Sequence, residues 1–268
     1  DLVALGTLAD VMPLTGENRV LVRGGLVRIA RALRPGMAAL KVASGMSATA
    51  ALSAGQAVFR LAPRINAAGR MGKGEMGLRL LREKDHAAAA VMAKELDELN
   101  LSRRQEEERI YAEAKQQASD LLSRGPSTGL VLYGKDWHPG IVGIVASRIV
   151  EDYYRPTIIV CQDQGSLKGS GRSVREFDLH GGLTRVADCL LNFGGHRQAA
   201  GVRLEPARLE EFRARFDSVV EEALGPTPLL PSITLECELP FSHASDHDFL
   251  KELELLQPCG PGNTEPVF

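Results

Sequence analysis

GLVLYGKDWHPGIVGIVASRIVEDYYRPTIIVCQD, residues 129–163, sets the fold class. GLVLYG is a short, continuously apolar run, as a strand buried on both faces would be. GIVGIVASRIVEDY reads as a helix with a glycine-rich start, and RPTIIVCQD as a second apolar strand. Strands alternating with helices specify an α/β layer. The pattern continues. SLKGSGRSV reads as a glycine-broken strand or turn, DLHGGLTRVADCLL as a helix, and HRQAAGVRL as a lead into a strand. ARLEEFRARFDSVVEEAL is an amphipathic helix. GPTPLLP, residues 225–231, reads as a linker, and SITLECELPF beyond it alternates apolar and polar residues as a β-strand would.

Upstream, residues 85–123 contain no Pro or Gly and are rich in Ala, Glu, Gln, Lys and Arg, all strong helix formers. A single helix of that span would be about 57 Å long. Its middle, SRRQEEER, is too polar to bury alone, so a solvated helix linking two domains is expected. At the start, DLVALGTLAD reads as a buried strand closed by Asp10. Asn18 is expected to cap a helix that runs to Leu33 and is ended by Pro35-Gly36. The 268 residues suit one large or two ordinary domains. The chain begins with Asp1 on an apolar run and ends in PCGPGNTEPVF, and both ends are expected to be truncations.

Hydrophobic residues make up 44% and charged residues 25%, as in globular proteins. No apolar run approaches a membrane span. Cys161, Cys189, Cys237 and Cys259 lack zinc spacing. Reduced thiols and a cytoplasmic location are expected. The net charge of −2 does not point to nucleic acid, but 24 of the 32 bases are Arg. Arg presents a planar fork to phosphate oxygens, although a GC-rich genome would also enrich it.

Five segments carry candidate chemistry. A carboxylate following an apolar strand sits where open sheets place ligands, and hard ions favour oxygen, so Asp10 is a candidate metal ligand. A turn or helix cap is the commoner role. FRLAPRINAAGRMGKGEMGLRLLR, residues 59–82, holds six bases against one acid, Glu75. Arg64, Asn66 and Arg70 offer donors to phosphate there, where a solvated basic loop is the alternative. Gly169-Ser170-Gly171-Arg172-Ser173 could form an anion-binding backbone nest, with Lys168 beside it. In FGGHRQAAG, Gly194-Gly195 expose His196 on a tight turn, and the small residues after it suit a helix packed on a sheet. His196 could contact a phosphate or position a leaving group. Trp137, before the helix of residues 140–153, is either a base-stacking platform or a core residue.

Together these segments resemble the RecJ family. ALGTLADVMPL resembles the last metal motif of its DHH domain, and FRLAPRINAAGRMG the signature near the end of that domain. GKDWHPGIVGIVASRI, GSGRS and FGGHRQAAG resemble the associated DHHA1 domain. The resemblance implies an α/β protein in four parts. These are the carboxy-terminal part of a DHH domain at 1–84, a connector helix at 85–124, a DHHA1 domain at 125–225, and a linker with the start of a truncated OB-fold at 226–268. It implies a 5′-to-3′ single-stranded-DNA exonuclease acting in DNA repair and recombination, with two Mn²⁺ or Mg²⁺ ions in the intact enzyme. Asp10 alone matches a family metal ligand, since DHH is absent and no DxD precedes Asp10, so this portion is expected to be inactive alone. Asp10 and His196 would be catalytic. Arg64, Asn66, Arg70, Ser170, Arg172, Ser173, Gly194, Gly195 and His196 would bind the strand and its 5′ phosphate. Implied partners are single-stranded DNA with a 5′ end, a single-strand-binding protein and a helicase, and no membrane. The rival readings are another DHH-DHHA1 phosphodiesterase, of short oligonucleotides or cyclic dinucleotides, and a non-catalytic strand-binding module.

Overall fold

The computed structural model describes residues 1–125, 127–225, 227 and 229–268, so the Gly125-Pro126 break and the prolines of GPTPLLP lie partly outside the described residues. Two compact units emerge: residues 1–102 with 233–268, and residues 103–232.

The first unit is helical among the described residues. Its elements are α1 (Leu2–Ala9), α2 (Gly16–Arg31), α3 (Pro35–Ala43), α4 (Ala54–Gln56), α5 (Ala62–Arg70) and α6 (Glu75–Arg82). It also holds the first half of α7 (His86–Arg124). DLVALGTLAD is thus a helix and not a strand. Ala4, Leu5 and Leu8 make one buried stripe at helical spacing, and an apolar run this short fits either period. Asn18 lies inside α2, its amide donating to Pro13 O at 3.0 Å, and Thr15 is the cap residue. Pro35 opens α3 instead of ending α2, as suits its missing N–H. α4 passes through one π turn, Ala57–Leu61, into α5. Residues 59–82 are therefore two helices around a short Gly-containing turn, not one basic loop.

The core of this unit contains a lysine. Lys41 is fully buried, and its ammonium donates to Ile29 O and Ala30 O at 3.3 Å and to Ala50 O at 2.7 Å. Two of these carbonyls belong to the last turn of α2, where a cation meets the negative end of the helix. Burial lowers its pKa from the ordinary lysine value. Lys41→Met would leave those carbonyls unpaired, and a loss of about 3 kcal/mol is expected in denaturant melts. A change within about 0.5 kcal/mol, typical of a surface site, would refute this role.

In the second unit, β1 (Leu130–Gly134), β2 (Thr157–Asp163), β3 (Ser166–Arg172), β4 (Asn192–Gly195) and β5 (Ala199–Leu204) form one sheet in the order β1-β2-β3-β5-β4. Only β1 and β2 run parallel. They are joined across α8 (Val142–Tyr153), which packs over β2 and β3. The other face carries Ile158, Val160, Leu167, Ala200, Val202 and Leu204. It packs against α9 (Leu179–Thr184) and α10 (Leu209–Leu224), with Phe212 and Phe216 at the centre. DLHGGLTRVADCLL forms only six residues of α-helix, followed by a single 3₁₀ turn at Ala187–Cys189.

α7 runs unbroken for 39 residues, close to the span its composition predicts. Its polar middle is more covered than expected, because Arg103 and Glu107 pair at 2.5 Å with side chains only 12% and 14% exposed. Arg148 of α8 bonds Glu107 and Glu108 and stacks 3.6 Å over the Tyr111 ring. Pairing makes such burial of charge tolerable.

SITLECELPF does not form the expected strand. It has no ladder among the described residues, and Ile233 and Leu235 are exposed. Alternation makes a strand only where a neighbour completes its hydrogen bonds. Two short helices follow, α11 (Phe241–Ala244) and α12 (His247–Glu254), and the segment folds back on the first unit through Arg19, which bonds Leu255 O and Leu256 O. No helix among the described residues is long and apolar enough to cross a membrane.

Candidate nucleic-acid interface

The five candidate segments fall in both units. Each unit has its own geometry.

GSGRS is not a nest. Ser166–Arg172 is an extended strand inside the sheet, and none of its glycines has positive φ. Gly169 and Gly171 face the core side, where side chains would collide. A Cβ at Gly169 would lie 2.5 Å from Val160 Cγ1 and 2.8 Å from Ile159 O, and one at Gly171 2.9 Å from Leu179 Cδ2. Ser170 and Arg172 face the opposite side, towards α8. Arg172 Nη1 donates to Ser170 Oγ at 2.9 Å and to Gly171 O at 2.8 Å.

α8 comes close to this pair because Gly143 lacks a side chain. A Cβ there would be 2.9 Å from Ser170 Oγ and 3.2 Å from Arg172 Nη2. At this first turn the N–H groups of Ile141 and Val142 both donate to His138 O, and those of Ile144 and Val145 to Ile141 O. The helix start is therefore largely satisfied internally and is a weaker anion site than its position suggests.

Beyond the edge of α8 the same sheet face is floored by glycine. Ser170 pairs with Gly201, and Gly201 pairs with Gly194, and directly paired residues share a face. Gly201 and Gly194 are exposed, and no atom lies within 4 Å of a Cβ built at Gly194. Gly195 is required for another reason: its φ is +149°, and a Cβ would meet Ala199 O at 2.3 Å. His196 is exposed in the β4–β5 turn, its N–H donating to Ala199 O at 2.8 Å. The tight turn is as expected, but AAG after it is strand β5 and not a helix, since β3 lies ready to pair with it. Ser173 is committed to structure, its hydroxyl donating to Phe177 O at 3.0 Å and its N–H to Gln198 O at 3.1 Å.

Trp137 is a core residue, 3% exposed, with its indole N–H donating to Glu113 Oε2 at 2.7 Å. Gly134 makes room for the ring, which would lie 2.1 Å from a Cβ at that position. Trp137 cannot serve as a stacking platform.

In the first unit, Asp10 closes a helix and not a strand. Its carboxylate is exposed and makes no hydrogen bond or ion pair among the described residues. A carboxylate at a helix C-terminus opposes the helix dipole. The next residue, Val11, has φ +55°, a strained conformation for a β-branched side chain. Arg64, 15% exposed, pairs with Asp97 at 2.8 Å and donates to Arg60 O and Ala43 O. A phosphate would have to compete with these partners. Asn66 and Arg70, on the same helix α5, are exposed.

Metal ligands are sparse. Asp10 offers one oxygen, too few for the shell of even one Mg²⁺ or Mn²⁺ ion. Among the described residues only Asp188, Cys189 and Glu211 cluster at metal-binding distances. Arg215 bonds all three, and Arg208 bonds Cys189 and Glu211, so guanidinium already supplies the charge an ion would bring. Cys161 is buried, and burial raises its thiol pKa to about 11, which leaves too little thiolate for nucleophilic work.

Sequence reasoning overlooked Gly201 and the positioning role of Gly143. Nothing in the sequence singled out either one; for β3 itself the readable signal was the period-two alternation in SLKGSGR, which already sorts Ser, Lys, Ser and Arg from Leu, Gly and Gly.

Comparison with known proteins is consistent with this architecture. The DHHA1 domain model matches residues 127–222. The single-stranded-DNA-specific exonuclease RecJ of Dickeya dadantii is 42% identical over 280 residues, covering 100% of this chain and 48% of that protein. RecJ of Thermus thermophilus is 39% identical, covering 100% of this chain and 38% of that protein. The chain thus spans about half the length of the curated relatives it matches, or less. The crystal structure of Thermus thermophilus RecJ in complex with Mg²⁺ aligns with a TM-score of 0.85 at 38% identity, over 99% of this chain and 40% of that one. A structure of exonuclease RecJ bound to manganese aligns with a TM-score of 0.70 at 40% identity, over 84% and 55%.

Proposed function

From the premise that this chain is a RecJ-family sequence carrying a DHHA1 domain, we propose that it binds single-stranded DNA for a metal-dependent 5′-to-3′ exonuclease. The observation that carries this reading is the Ser170–Arg172 pair beside a bare glycine floor. A hydroxyl and a guanidinium there present donors to one phosphate, and the exposed backbone of Gly201 and Gly194 leaves room beside it for a nucleotide's sugar and base. His196, in the turn at the end of this floor, would contact the phosphate of the terminal nucleotide and position its leaving group. Gly195 holds the turn. Arg64, Asn66 and Arg70 would contact the strand or its 5′ phosphate from α5, with Ser173 bracing the Ser170–Arg172 segment.

Relatives solved with Mg²⁺ and with manganese make Mn²⁺ or Mg²⁺ the proposed cofactor, with Asp10 as one oxygen ligand. The ions would activate water and stabilise the charge on phosphate. This chain cannot hold them alone, and its own work is to bind and orient. A cytoplasmic role in DNA repair and recombination, beside a single-strand-binding protein and a helicase, completes the proposal.

The purified chain with Mn²⁺ is expected to bind a labelled single strand, more tightly with a 5′ phosphate, and to leave it uncut. Cleavage would overturn the inactivity. Equal affinity with and without the 5′ phosphate would overturn the terminal-phosphate role.

A further inference from the structure

On β3 the residues facing away from the core are Ser166, Lys168, Ser170 and Arg172, all hydrogen-bond donors with no acid among them. The alternate residues Leu167, Gly169 and Gly171 are buried. Lys168 is exposed and pairs with Arg203, which pairs with exposed Asn192. A second polar row thus crosses the sheet beside the row Ser170–Gly201–Gly194. Asp163, paired with Ser166 at the start of β3, is neutralised by Arg203 at 2.7 Å, and Arg203 also donates to Ser166 Oγ. Lys168 makes no ion pair or side-chain hydrogen bond among the described residues. Two residues of antiparallel strand advance about 6.8 Å, comparable to one step of an extended nucleotide backbone.

We infer that Lys168 binds the internucleotide phosphate next to the one held by Ser170 and Arg172. This second-nucleotide subsite rests on the strand-binding reading of the Ser170–Arg172 pair. The bound backbone runs along β3, one phosphate for every second residue. A mononucleotide fills only the Ser170–Arg172 end, and an oligonucleotide fills both.

The test measures binding of a labelled 5′-phosphorylated deoxyoligonucleotide, and of a 5′-mononucleotide as competitor, across a salt series. For Lys168→Ala we expect roughly three- to tenfold weaker oligonucleotide binding. The slope of log affinity against log salt should fall by about 0.7, one single-strand phosphate contact. Competition by the mononucleotide should be unchanged, and Lys168→Arg should retain the wild-type slope. Lys168 is exposed, so folding is unaffected. If Arg172→Ala weakens binding but Lys168→Ala leaves affinity and slope intact, the subsite is wrong and the site reading stands. If Arg172→Ala has no effect either, both fall.

Discussion

Replacing Arg172 with alanine is expected to weaken binding of a 5′-phosphorylated single strand at least tenfold. A hydrogen bond to a charged group contributes about 1.5–3 kcal/mol, and each 1.4 kcal/mol is a factor of ten in affinity. The salt slope should flatten by about 0.7. Arg172 Nη1 also holds the Ser170 hydroxyl, so the loss should exceed that of Ser170→Ala alone. The side chain faces α8 and not the core that α9 and α10 cover, and a melting temperature recorded beside the affinity separates lost binding from lost packing. Titration by fluorescence anisotropy, with a thermal melt as control, decides it. Unchanged affinity in a folded variant would remove Arg172 from the interface.

The second large effect is on stability. Gly169→Ala would place a methyl 2.5 Å from Val160 Cγ1, 2.8 Å from Ile159 O and 2.9 Å from Val202 Cγ2. The carbonyl belongs to the neighbouring strand and cannot rotate away. Overpacking of this kind costs about 1–3 kcal/mol, several degrees of melting temperature for a unit of this size. In a solvated loop the same change would be neutral, or stabilising by about 0.4–1 kcal/mol. A variant as stable as wild type would show that GSGRS is not the packed strand described above.

That contrast shows where the sequence was legible. α7 was readable almost to the residue, because an unbroken run of helix formers ended by Gly125 needs no partner to declare itself. β1 and β2 were readable as short continuous apolar runs alternating with helix patterns, and α10 from its amphipathic period. Short elements were not. Leu2–Ala9 fits helix and strand alike. SITLECELPF carries a strand pattern whose realisation depends on a neighbour. GSGRS was misjudged because glycine was credited with a turn when its task was to let two strands and α9 approach. The site was half legible. Residue types at Ser170, Arg172 and His196 suggested phosphate contact, but only the pairing register places Gly201 and Gly194 in one row with Ser170. Nothing in the chain before folding announced that Arg64 would be held by Asp97.

The chain passes between the two compact units twice, and the first passage, between Ser102 and Arg103, lies in the interior of a helix 39 residues long. Limited digestion therefore has no slack peptide to attack there, because a protease needs several residues of locally unfolded backbone. Anyone dissecting the protein for separate expression faces the same obstacle. A cut there would leave each half with a fraying stump, and fragments that behave well will have to share several turns of α7.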